Sequence, residues 1–538
     1  MRGRNAVRAL AFAIAVTLCS AKPRELSLRR VDLPLPGPPS VVLPVDLDAD
    51  GRTDLVVVTA YTQWGSISND RVENAVAITE VVPALFDHRE LLPFLAQADG
   101  SYRAGPAFTM PASWIALAAG RGAAPIVALT EEGMSAVTWS KDKGLDTAPL
   151  FDERSALAGG RAFLAEFHFL DDVDGDGFPD AVIPSADGIA VHRGLKDGTF
   201  EAQASFRARL PEDRVVARNG HVRHEVPVPR FFDADGDGKK DLVVDDLEAS
   251  PPTIVIARGL GAGRFAAPQT IRLGCLSQRK EDETQGPPAP RRRVAWFGPL
   301  ERNARPVVVT REALDNGKSD RKQAMAPQMR YGLYRLGADL SVPTVPESTF
   351  DAEGYAFSGA FRDGVDLEFL DLDGDGRKDL VTVTVDVSMF QVLRALTSKT
   401  IGIGLDFRVV AQGADGVFRP VPDQVLHEKL KVDLNRFEIS RLGQFQGDFD
   451  GDGRIDFVHL GKGKAVTVHR GQPGGRYPEK PDLVVEVEDE PEDVLLVRVR
   501  DFDGDSRSDI AITRTLPAAE TGASAPTRLE LYLSSEPR

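Results

Sequence analysis

The stretch Asp371-Leu372-Asp373-Gly374-Asp375-Gly376-Arg377-Lys378-Asp379 runs directly into Leu380-Val381-Thr382-Val383. Four carboxylates in nine residues repel one another unless something neutralises them, and the β-branched run behind them reads as a strand buried on both faces. The pattern D-x-D-x-D-G-x-x-D recurs along the chain. The other copies carry Asp46, Asp48, Asp50 and Asp54; Asp172, Asp174, Asp176 and Asp180; Asp233, Asp235, Asp237 and Asp241; Asp448, Asp450, Asp452 and Asp456; and Asp501, Asp503, Asp505 and Asp509. Only the last departs, with Ser506 where the others have Gly. An internal repeat on this scale predicts a fold assembled from similar units.

Each copy leads to a second signature: a strand, a Gly-rich turn and an aromatic residue. Phe200, Phe265 and Tyr477 end clear versions, Tyr102 and Phe418 looser ones. This reads as a hairpin closed by Gly and Asp. Two gaps between acidic copies are about twice the usual length, and each holds a degenerate unit. Trp114-Ile115-Ala116-Leu117 leads to Pro125-Ile126-Val127-Ala128-Leu129, and Val294-Ala295-Trp296-Phe297 leads to Pro306-Val307-Val308-Val309. The count becomes eight units of about 65 residues, room for four short strands and their turns. The last unit has only three strands, Val494–Arg500, Ile510–Thr513 and Leu529–Leu533. The alternating segment Glu25–Leu33 is left to supply its outer strand, and a ring so closed hides edges that would otherwise pair with other chains. A seven-unit ring follows instead if one degenerate unit is an insertion.

The acidic loops and the downstream Gly–aromatic turns resemble FG-GAP/VCBS repeats, over nearly the whole chain after the leader. The resemblance implies an all-β fold, an eight-bladed β-propeller of four-stranded antiparallel blades like the head of integrin α-subunits. It also implies Ca²⁺ in up to six sites. Aspartates at positions 1, 3, 5 and 9 would give side-chain oxygens and position 7 a backbone carbonyl, with calcium mainly structural. Ca²⁺ accepts six to eight oxygens in flexible geometry, which suits such loops better than Mg²⁺. An EF-hand is excluded, because position 12 is Val57, Ile183, Val244, Thr382, His459 or Ile512 rather than Glu.

Composition narrows the class. The chain has 538 residues, 65 Lys plus Arg against 81 Asp plus Glu, a net charge of −16 and 2 cysteines. That balance argues against nucleic acid as a partner, and the cysteine count excludes a disulfide scaffold. Arg2, Arg4 and Arg8 precede an apolar run, Ala9–Leu18, too short for a stable membrane anchor. Residues 1–21 therefore read as a signal peptide cleaved after Ala21, leaving 22–538 as one propeller domain, exported to periplasm or exterior. Cys19 offers a second reading, an acylated outer-membrane lipoprotein, although Leu18 before it fits that signal poorly.

In an antiparallel blade the a–b and c–d turns share one end. The long insertions Tyr61–Leu91, Asn316–Met329 and Ser388–Gly404 read as b–c connections; Ala208–Val228, Gln278–Arg291 and Pro346–Gly364 read as d–a connections. Variable loops gathered on a rigid scaffold are the usual place for binding, so the ligand end is expected opposite the acidic loops. His192 and His469 share a V-H-R-G slot and read as structural. His221 and His224 have metal-like spacing but match no zinc-protease signature. Tyr61 and Trp64 could stack on a sugar, although packed anchors fit as well; Trp114 and Trp296 read as core. The leading expectation is a binding or adhesion module for an extracytoplasmic protein or glycan, with no catalytic residues. The alternative is a polysaccharide lyase or glycosidase on a calcium-stabilised propeller, for which Asp70, Glu73 and Glu353 offer carboxylates but no distinctive pair.

Overall fold

The computed structural model describes residues 26–535 except 62–87, 160–167, 186, 209–213, 219–220, 226–228, 248, 280–289, 315–323, 358–368, 388–398, 434–437, 441–442, 461–463, 489–490, 492–495 and 517–526. The expected signal peptide, residues 1–21, and Cys19 thus lie outside the described residues. What is described is nearly all β, eight antiparallel blades in a ring, with helix confined to single turns such as Gly274–Leu276. Among the described residues no helix is long and apolar enough to cross a membrane.

Blade 1 runs Pro39–Val45, Asp54–Tyr61, His88–Ala96 and Tyr102–Ala104, strands a to d. The other five acidic copies likewise sit between strands a and b, in blades 3, 4, 6, 7 and 8. The degenerate units are whole blades. Blade 2 is Trp114–Arg121, Ala124–Thr130, Gly133–Ser140 and Gly144–Asp152. Blade 5 is Pro290–Gly298, Val307–Leu314, Gln328–Arg335 and Ser348–Glu353. The count is eight, not seven. Strand b is buried along both faces, as Leu55-Val56-Val57-Val58 illustrates, because a blade is packed between two others.

Blade 8 has Val497–Arg500, Asp509–Thr515 and Thr527–Ser535 as its first three strands. Ser27–Leu35 pairs antiparallel with the third, from Ser27 opposite Ser535 to Leu35 opposite Thr527. The expected outer strand is therefore present, ending two residues further on than Leu33. The seam between last and first blades is packed and hydrogen-bonded. Leu33, Leu35, Phe502, Leu529 and Leu531 share one core with Val42, Leu55, Val57 and Phe94. Arg498 donates to the Ser40 carbonyl at 2.8 Å, and Arg500 donates to that of Val42.

The aromatics of the c–d turns fill the junctions between blades. Phe265 of blade 4 lies 4.8 Å from Phe206 of blade 3, and Phe418 of blade 6 stacks 4.6 Å from Phe350 of blade 5. Tyr477 of blade 7 is clamped by Gln424 of blade 6, which accepts from its N–H and donates to its carbonyl at 2.7 Å each. Large rings bury the most area per residue, so one per turn suffices to seal each wedge.

Closure by an N-terminal strand makes a distinct demand on Leu33, which is 2% exposed. Leu33→Ala is expected to destabilise the whole ring by about 2–5 kcal/mol in chemical denaturation; a cost under about 1 kcal/mol would mean that the seam contributes little.

Candidate metal centres: six acidic turns

The six loops share one backbone path. Position 6 has positive φ in all, from +83° to +88° where it is Gly and 67° at Ser506. Position 4 needs the same left-handed conformation, supplied by Gly175, Gly236, Gly374, Gly451 and Gly504 and, in blade 1, by Ala49 at 58°. The requirement at position 4 escaped the sequence reading, although five of six copies have glycine there. Position 2 was missed as well. Leu47, Val173, Ala234, Leu372, Phe449 and Phe502 are all buried, each plugging its loop into the core.

The carboxylates hold the turn in a fixed way. At position 9, Oδ2 accepts the N–H of position 2, at 2.7–3.1 Å from Leu47, Val173, Ala234, Leu372, Phe449 and Phe502. Oδ1 of the same residue accepts an N–H from the end of strand c, at 2.6–2.9 Å from Ala96, Gly194, Gly259, Gln412, Gly471 and Ser534. Position 1 accepts the N–H of position 6 in every loop, at 2.8–3.1 Å. Position 5 accepts that of position 7, at 2.8–3.0 Å.

These bonds leave an excess of negative charge in a partly desolvated place. Burial pushes Asp379, Asp456 and Asp509 up to about 7 and Asp180 to about 6; backbone donors pull the other way and neighbouring aspartates add to the rise. Asp54 and Asp241 are raised for the same reasons. Burial, then Asp505, lifts Asp503 to about 6.

The residues fit a hard cation. One oxygen each from Asp172, Asp174 and Asp180 lies within 4.8 Å of the others, as in the Asp233, Asp235, Asp241 and Asp448, Asp450, Asp456 sets. In blades 1 and 6 the converging sets are Asp46, Asp48, Asp50 and Asp371, Asp373, Asp375. Among the described residues three carboxylate oxygens, Asp174 Oδ2, Asp371 Oδ1 and Asp450 Oδ1, are buried with no hydrogen-bond donor, although Asp174 Oδ2 faces the Arg193 guanidinium at 2.9 Å. A buried anionic oxygen without a donor is costly, and an all-oxygen set suits Ca²⁺ or a similar ion.

The remaining candidates resolve as structure. His192 is fully buried, stacks 4.0 Å from Phe151 and places its two ring nitrogens 3.0 Å from the Glu201 carbonyl and 3.2 Å from Glu153. His469 Nδ1 sits 2.8 Å from the Pro478 carbonyl, the equivalent contact. Tyr61 is buried, stacks on His88 and donates to Glu90 at 2.9 Å, so it anchors the chain rather than offering a platform. Trp114 and Trp296 are core, and Glu353 is paired with Arg408 at 3.0 Å. Trp64, Asp70 and Glu73 lie outside the described residues, as do the side chains of His221 and His224, whose backbone forms a hairpin with Arg214–Arg218. The long insertions do connect b to c or d to a, although much of each is likewise outside the described residues. One correction applies: Pro346–Gly364 includes strand d of blade 5, Ser348–Glu353, so only the part after Glu353 is connection.

A ring of eight four-stranded blades with turns of this kind defines a β-propeller. Residues 172–244, from the acidic turn of blade 3 through that of blade 4, match the FG-GAP-like repeat family. That match and the eight-bladed ring support a β-propeller of the FG-GAP/VCBS type. No curated protein matches it. Among solved structures it is similar to an Agrocybe aegerita lectin described as recognising non-reducing terminal N-acetylglucosamine, at 15% identity over 86% of this chain and 90% of that one, TM-score 0.39. It is also similar to a protein from Lactobacillus plantarum, at 10% identity over 72% and 88%, TM-score 0.28. Neither likeness bears on what this chain binds.

Two outcomes follow from the loops themselves. Ser506→Gly is expected to stabilise by up to about 1 kcal/mol, because glycine adopts positive φ without the Cβ clash; thermal denaturation reads it, and no gain would mean that Ser506 makes compensating contacts. In chelator, the raised position-9 carboxyls disfavour the charged folded form. The stability they lend is present below their unfolded value near 3.8 and is lost as pH rises through about 6–7. Without divalent ions the melting temperature should therefore climb as pH is lowered from about 8 to about 5; a flat or opposite profile would contradict the charge crowding.

Proposed function

We propose that this protein is an exported propeller braced by calcium, whose insertion-bearing end binds a protein or glycan outside the cytoplasm. The observation that carries the metal half is the buried, donor-free oxygen of Asp371 and of Asp450 in loops where three carboxylates converge. When bound, the ion supplies charge neutralisation and a cross-link within the turn. The chain's own part is to present aspartates at positions 1, 3 and 5, to orient position 9 through its two backbone bonds, and to bury position 2 beneath.

Export is supported by the arginine-led apolar leader ahead of Ala21. The binding end is supported by topology, since every acidic turn and every Gly–aromatic turn is short and leaves the long connections at the opposite end. Net acidity disfavours nucleic acid as the partner.

Mass action sets the scale. A site binding at about 0.1 mM in a medium of about 1 mM contributes about 1.4 kcal/mol, so six together rival a typical domain's stability of about 5–15 kcal/mol. Chelator is expected to lower the melting temperature by many degrees and Asp373→Ala to reproduce one site's share; a melting curve unmoved by chelator would remove calcium from the reading. A glycan and polysaccharide panel, scored for binding and for turnover, tests the other half. Retention without product supports a binding module, whereas product release makes the protein a carbohydrate-active enzyme.

A further inference from the structure

The six acidic loops differ in one residue that none of them contains. Strand c ends beside each loop, and the residue donating its N–H to position 9 is preceded by Leu95, Arg193, Arg258, Ala411, Arg470 or Leu533 in blades 1, 3, 4, 6, 7 and 8. Where that slot holds arginine, the guanidinium lies against the position-3 carboxylate. Arg193 Nε is 2.9 Å from Asp174 and its Nη2 is 2.8 Å from Asp176; Arg258 and Arg470 are each 3.4 Å from Asp235 and Asp450. These carboxylates are almost wholly withdrawn from water, with 2%, 9% and 10% of their side-chain surface exposed.

The other three loops have no slot arginine on position 3; their cations, Arg52, Arg377 and Arg507 at position 7, pair instead with the more exposed position 5, where blade 3 has Phe178 at position 7. In blade 6 Asp373 instead accepts the Gly474 N–H of the neighbouring blade at 2.6 Å, a neutral donor, and Asp371 Oδ1 has none. Blade 5 supplies the comparison. Its acidic motif is lost, yet Arg335 occupies the same slot, donating to the Arg305 carbonyl at 3.0 Å and lying 3.6 Å from Glu301. An arginine there braces the a–b turn without any aspartate cluster.

Resting on the calcium reading above, we propose that the loops form two classes of divalent-cation site. Those of blades 1, 6 and 8 bind the ion tightly. Those of blades 3, 4 and 7 bind it more weakly, because the slot arginine already neutralises part of the cluster and repels an arriving dication. A unit charge about 5 Å from a divalent ion, screened even as in bulk water, lowers affinity about tenfold. Arg193 and Arg258 keep 37% and 41% of their side-chain surface exposed and can swing outward, whereas Arg470 keeps 13%, so the blade 7 site is the weakest.

The test is calorimetric titration of the chelator-stripped full chain with Ca²⁺ alone. The unmodified protein should show two phases of about three sites each. The triple variant Arg193→Leu, Arg258→Leu, Arg470→Leu should draw the weak phase about tenfold tighter. Ala411→Arg, an exchange at a single turn that leaves those arginines in place, should move one tight site into the weak phase. Six equivalent sites, unchanged in both variants, overturn the two-class assignment while leaving calcium in place. No binding by the unmodified chain overturns the calcium reading, and this assignment with it.

Discussion

The fold turns on one carboxylate used six times. The last aspartate of each acidic turn accepts one backbone N–H from its own loop and one from the end of strand c, at 2.6–3.1 Å throughout. That side chain ties two turns of a blade together in a region where water is largely excluded. Hydrogen bonds to an ionised acceptor are the strong ones, and a buried N–H left unpaired would carry its full desolvation cost. Everything local to the turn follows: glycine at positions 4 and 6, an apolar plug at position 2, and further carboxylates accepting the remaining amides.

That solution creates the next problem, which is charge. Burial raises the carboxyls that do the tying, and each neighbouring aspartate raises them further. The protein meets the excess with cations of its own. Position-7 residues reach back to position 5, as with Lys239 to Asp237 at 2.9 Å, and slot arginines cover position 3 in three blades. What these side chains leave uncovered, notably Asp371 Oδ1 in a loop without a slot arginine, is where an external ion has most to offer.

Much of this was legible in the order of residues. Spacing between aspartates marked the a–b turns, β-branched runs marked the strands behind them, and the leftover alternating segment near the start marked the closing strand. Alternation marks a strand with one buried face, and the last unit lacked a strand, which is why Glu25–Leu33 could be assigned to blade 8 from some 500 residues away, where the strand is found as Ser27–Leu35. The tryptophans of the two degenerate units were legible as core for a related reason: they occupy strand positions that every blade buries. The slot arginines were less so. Val-His-Arg-Gly and Ile-Ala-Arg-Gly were visible as repeat features, but nothing in a hairpin says which neighbouring turn its side chains face.

The chain's linear pattern was enough to specify all-β units, their acidic turns and the manner of ring closure, and it narrowed their number to eight or seven. These depend on short-range periodicity and on turns that few residue types can make. Only the folded arrangement decided which carboxylates converge, which oxygens are left without donors, and which arginine lies against which loop. Those properties arise between segments far apart in the chain, where distance and burial, rather than residue type, fix the electrostatics.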